Sequence, residues 1–140
     1  HEDRGIEPLR SMLDRLPGLT DAAGRRLAEA VCSLHLVARK LPELRAGTRA
    51  KIYDRYFRDK NFDARLFALA VGADSGGRLG RSDHGEETAA RIESYIAWMR
   101  ERCETVDAGK LWEAHKDDKD RFKSELHQAW SRALDQHRND

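Results

Sequence analysis

Between Ser82 and Glu104, apolar residues recur every three or four positions: Ala89, Ile92, Tyr95, Ile96, Met99 and Cys103. This spacing follows the 3.6-residue period of an α-helix and would scatter apolar residues over both faces of a strand. The segment reads as a long amphipathic helix starting at Ser82 or Asp83. Acidic Asp83, Glu86 and Glu87 open it and Arg100 and Arg102 lie near its end, the order that a helix dipole favours. Four Val, four Ile and four Thr in 140 residues leave little material for a sheet. The expected fold class is all-α, an irregular array of about seven short-to-medium helices.

The remaining helices follow from caps and breakers. Pro8 suits a first helical turn, and Leu9, Met12, Leu13 and Leu16 form a stripe that ends at Pro17-Gly18. Thr20 or Asp21 can cap a second helix bearing Leu27, Val31, Leu34 and Ala38, which Pro42 should stop by Leu41. A third is expected from near Thr48, carrying Ile52, Tyr53, Tyr56 and Phe57. Asn61 is the expected cap of a fourth, with Phe62, Leu66, Leu69 and Ala70 inward. Four glycines between Gly72 and Gly80 then interrupt the chain. Asp107 is expected to cap a short helix holding Leu111 and Trp112, and a last helix from about Asp117 to Gln136 carries Phe122, Leu126, Ala129, Trp130 and Ala133.

Charge narrows the function classes. Charged residues make up 36% of the chain, yet 26 Lys and Arg against 25 Asp and Glu leave a net charge of +1. That balance excludes a uniformly basic nucleic-acid protein, but a local basic stripe survives it. From Arg39 to Arg65 nine basic residues stand against four acidic ones, interleaved with Tyr53, Tyr56 and Phe57. Such cations can neutralise phosphates, and an exposed aromatic can stack on an unpaired base. A solvated helix face with its aromatics packed inward explains the same composition. No apolar run approaches the roughly 20 residues of a membrane span, and no signal-peptide pattern is present. Cys32 and Cys103 both lie among apolar neighbours, which points to free buried thiols and a reducing cytoplasm. The chain opens on His1, not Met, as a fragment or a trimmed polypeptide would.

His1, His35 and Asp74 are the histidine and carboxylate set suited to a divalent ion that activates water on a phosphate ester. Their separation in sequence does not by itself support a site. His84, His115, His127 and His137 show no ligand spacing. There is no phosphate loop of the strand-loop-helix kind and no Ser or Cys nucleophile motif.

Several blocks resemble one family. His1-Glu2-Asp3-Arg4-Gly5 is similar to the His-Glu-x-x-Gly segment in the HD region of bacterial CCA-adding tRNA nucleotidyltransferases. The segment from Leu27 to His35 looks like the next histidine-bearing helix of these enzymes. Ala73-Asp74-Ser75-Gly76-Gly77-Arg78-Leu79-Gly80-Arg81 resembles their Ala-Asp-x-x-Gly-Arg-x-Gly signature. The match covers residues 1–81, the second half of an HD-like region, and leaves 82–140 as a C-terminal helical tail. That tail departs from the family, having Lys116-Asp117-Asp118-Lys119-Asp120 where the family has a glycine turn.

The resemblance implies a tRNA-binding helical region whose catalytic head is not in this chain, so that the chain alone would be inactive in nucleotide addition. The implied partners are tRNA and an N-terminal nucleotidyltransferase head, in the same or a partner chain, with no membrane. Arg45, Arg49, Lys51, Arg55, Arg58, Arg78 and Arg81 are the implied RNA contacts. His1, His35 and Asp74 would be an incomplete metal set, for Mg, Mn or Ni in the full-length protein, with no ion tightly held by this chain. Two other classes stay open: a metal-dependent phosphohydrolase region of the HD superfamily, and a non-catalytic helical scaffold.

Overall fold

The computed structural model describes residues 3–77, 80 and 84–135. Among these residues there are seven α-helices and no strand: α1 (Ile6–Arg15), α2 (Ala22–Leu34), α3 (Ala46–Ile52), α4 (Ala64–Gly76), α5 (His84–Glu104), α6 (Ala108–His115) and α7 (Lys119–Asp135). The all-α expectation holds. No described helix is long and apolar enough to cross a membrane.

Side-chain caps account for several starts. Asp21 accepts from the Gly24 amide at 2.7 Å and Asp107 from Lys110 at 3.0 Å, each satisfying an amide that the first turn leaves without a partner. The cap of α4 is Asp63, not Asn61, accepting from Leu66 at 2.9 Å. Helix α2 stops at Leu34, and a 3-10 segment, Ala38–Glu43, takes the chain through Pro42 to α3. At its far end α3 widens into one π-helical turn, Tyr53–Phe57, closed by the Arg58 amide donating to the Tyr53 carbonyl at 2.8 Å.

One core joins α2, α3, α4, α5 and α7. All six residues of the α5 stripe are buried. Against them lie Tyr53, Tyr56 and Phe57 of the π turn, with Phe57 fully enclosed. Trp130 of α7 meets Tyr53 edge-on at 5.3 Å between ring centres. Helix α1 sits outside this core. Ile6 and Leu13 are buried, but Met12 and Leu16 are exposed, so the expected stripe is only half used. Charge also ties α1 to α2: Arg10 donates to both Glu29 oxygens at 2.8 and 3.3 Å, and Arg25 to Asp14 at 2.6 Å.

Helix α4 corrects a second expectation. Leu66 and Leu69 face outward at 50% and 47% exposure, and Phe67, Ala68, Val71 and Gly72 are the buried residues. Its inner side is chosen by a backbone crossing. A Cβ on Gly72 would lie 2.4 Å from the Gly85 carbonyl oxygen of α5, and one on Gly85 only 2.9 Å from that of Gly72. Gly72→Ala should therefore force the helices apart and cost about 1–3 kcal/mol. Gly47 of α3 meets nothing nearer than 3.9 Å, so Gly47→Ala should instead stabilise by about 0.5–1 kcal/mol. Urea denaturation of both variants checks the contrast. Equal and small effects would mean that α4 and α5 do not touch through their backbones.

Candidate nucleic-acid interface and metal-ligand residues

Lys51, Arg55 and Arg58 follow one another at intervals of four and three, as on one side of a helix, and all three are exposed. Arg45 at the start of α3 and Arg65 in α4 are exposed as well. Tyr53, Tyr56 and Phe57 turn the opposite way into the core, so stacking of these aromatics on a base is excluded while they stay folded. They serve the face from beneath. The Arg55 guanidinium lies 5.2 Å from the centre of the Tyr56 ring, and that of Arg58 lies 5.5 Å from Trp130 while also donating to Asp54 at 2.9 Å.

Arg49 does not share this face. It is 6% exposed and donates from Nη1 to the Tyr95 hydroxyl of α5 at 2.6 Å. Arg78 and Arg81 lie outside the described residues.

Sequence reasoning missed Arg100. From α5 it donates to three backbone carbonyls of the loop that follows the π turn: Phe57 at 2.8 Å, Asp59 at 3.2 Å and Phe62 at 2.9 Å. This clamp fixes the path of the chain around Arg58 and Lys60. Its sequence signal was only that of an arginine near a helix end.

Of the proposed metal set, His1 lies outside the described residues. His35 is half-buried, with Nδ1 3.1 Å from the Val31 carbonyl and 3.2 Å from that of Cys32. Carbonyls only accept, so Nδ1 is the donor in these contacts, and in a neutral ring the lone pair is then on Nε2, the arrangement of a metal-binding imidazole. The Asp74 carboxylate is instead turned toward Arg39, 3.9 Å away, whose Nη1 also donates to Ser75 at 3.3 Å. No group of three metal ligands forms among the described residues.

Other perturbed groups are structural. Arg10 holds the Glu29 carboxyl below the usual carboxylate range by hydrogen bonding. Burial pushes the Cys103 thiol and the Tyr53 phenol each up to about 12, which disfavours the reactive thiolate at neutral pH. Both cysteines are free, but Cys32 is only half-buried.

Over 85 residues, 59% of the chain, the sequence is 41% identical to the multifunctional CCA protein of Stenotrophomonas maltophilia strain K279a. It is similar to a C-terminal fragment of multifunctional CCA proteins. The multifunctional CCA protein of Xanthomonas oryzae pv. oryzae is 37% identical over 94 residues, 66% of the chain, and that of Acinetobacter baumannii 31% over 114 residues, 79% of the chain. The chain spans only 20–25% of the length of these multifunctional CCA proteins. No family model and no solved structure matches it.

Proposed function

We propose that this chain is a tRNA-holding helical region of a protein related to CCA-adding tRNA nucleotidyltransferase, acting beside a nucleotidyltransferase head that the chain does not contain. The observation that carries the proposal is the exposure of the basic residues Arg45, Lys51, Arg55 and Arg58, in a chain similar to multifunctional CCA proteins. These cations would contact phosphates and set the orientation of the RNA without reading bases. The inward aromatics support the same division, because a face without stacking rings recognises shape and charge. A divalent ion enters this proposal only in a longer protein that adds ligands to His35.

The test is a triple variant, Arg45→Ala, Lys51→Ala and Arg55→Ala. Arg49 is left intact because it is buried, and Arg58 because it is shared between Asp54 and Trp130. The variant should keep its helicity and bind tRNA more weakly. Each lost contact should lower the slope of log affinity against log salt by roughly 0.7–0.9, so the three together by roughly 2–3. Titration of tRNA at several salt concentrations reads both quantities. An unchanged slope and affinity would leave these residues as solvated charge and favour a scaffold.

A further inference from the structure

A groove of about 620 Å³ opens between the 3-10 segment, α3 and the first half of α5. Its walls carry three guanidinium groups, Arg39, Arg49 and Arg91, against one carboxylate, Glu43. Arg49 is the unusual member. It is 94% buried, and among the described residues it makes no ion pair and its Nε has no hydrogen-bond partner. A buried cation without a counter-charge is costly, as is a buried donor left unpaired. An anion entering this groove would supply the missing counter-charge. Arg39 at the rim is already committed to Asp74 and Ser75, whereas Arg91 is exposed and free of any partner among the described residues.

The hydroxyls on the wall suit the same ligand. Tyr95 accepts from Arg49, which leaves its own proton to donate, and the buried Thr88, two turns earlier on α5, also lines the groove. Forked guanidinium donors combined with neutral hydroxyl donors match the several acceptor oxygens of a phosphate. We infer that this groove is a phosphate-binding pocket in which the Arg49 side chain supplies the buried positive charge of its wall and Arg91 closes over the anion from the solvent side. Its ligand is a phosphoryl group, either a free phosphate or monoester, or a phosphodiester of a nucleic-acid backbone. The pocket does not depend on the proposed tRNA face, since Arg45, Lys51 and Arg55 do not line it.

Thermal unfolding of the full chain in inorganic phosphate, compared with sodium chloride at matched ionic strength, tests the pocket. The wild type should melt at a higher temperature in phosphate and give a saturable titration. Arg91→Ala, a change at an exposed position, should weaken phosphate binding about five- to tenfold with unchanged melting in chloride. Arg49→Met should abolish the phosphate response. Its melting in chloride should change little, because an apolar side chain of similar length replaces a buried unpaired charge. A purely structural Arg49 would make the opposite mark, with equal destabilisation in both salts. Dimethyl phosphate separates the two sources, since a response to it assigns a backbone diester and silence assigns a free phosphate or monoester. Absence of a phosphate-specific rise in the wild type overturns the pocket. So does a rise that both variants retain.

Discussion

Phe57→Ala should destabilise the chain by about 3–5 kcal/mol, a large share of the 5–15 kcal/mol typical of a domain. Phe57 is fully buried at the end of the π turn. Its ring lies 5.5 Å from Phe62 and 5.7 Å from Phe67, which are themselves 5.6 Å apart, all in tilted or edge-on arrangements. Removing it deletes one corner of a three-ring cluster that joins the π turn to α4. Rigid neighbours from two elements cannot easily collapse into the space, so a cavity term adds to the lost transfer energy. At about 2–4 °C per kcal/mol, the melting temperature should fall by roughly 6–20 °C. Circular dichroism on heating measures it, with the exposed Lys51→Ala as a control expected within about 0.5 kcal/mol of wild type. A Phe57 loss below about 1 kcal/mol would mean that the cluster is not the centre of the core.

Arg100→Met should cost about 2–3 kcal/mol and act locally as well as globally. Methionine retains the aliphatic packing but removes every donor from the carbonyls of Phe57, Asp59 and Phe62. Hydrogen bonds from a charged donor contribute about 1.5–3 kcal/mol each, but Arg100 is half-buried and water can replace part of what is lost. Arg100→Lys should recover only a fraction, because one ammonium cannot reach three acceptors in the fork of a guanidinium. Hydrogen exchange offers the local reading. Amides of residues 58–62 should exchange faster in Arg100→Met than global destabilisation alone explains. Uniform acceleration over the whole chain would show that Arg100 stabilises the fold without clamping this loop. The clamp also bears on the basic face, since the loop begins at Arg58.

Helix α5 and α4 show what could and could not be read in advance. Charged residues such as Glu86, Glu87, Arg91, Glu93 and Glu101 flank the α5 stripe, so its inner face was legible, and all six stripe residues are buried. Helix α4 is apolar around most of its circumference, from Ala64 through Leu66, Phe67, Ala68, Leu69, Ala70 and Val71. Periodicity cannot choose a face there. Packing chose Phe67, Ala68 and Val71, because the Gly72–Gly85 crossing turns that side toward α5. Asn61 and Asp63 are both good caps, and the start of α4 at Ala64 selected Asp63.

The candidate sites divide along similar lines. Arg45, Lys51, Arg55 and Arg58 were legible as a basic run interleaved with aromatics, and only the structure decided that Tyr53, Tyr56 and Phe57 point inward. Arg49 belongs to the same run but is drawn inward by Tyr95, 46 residues away, and Arg100 reaches carbonyls 38 to 43 residues before it. By itself the sequence determined the helical class, most helix starts and the basic stretch, all products of local propensity, capping and 3.6-residue periodicity. Tertiary structure alone decided which face of α4 is inside, which arginine is buried and which carbonyls Arg100 holds. Those outcomes depend on contacts between elements distant in the chain, which no local pattern encodes.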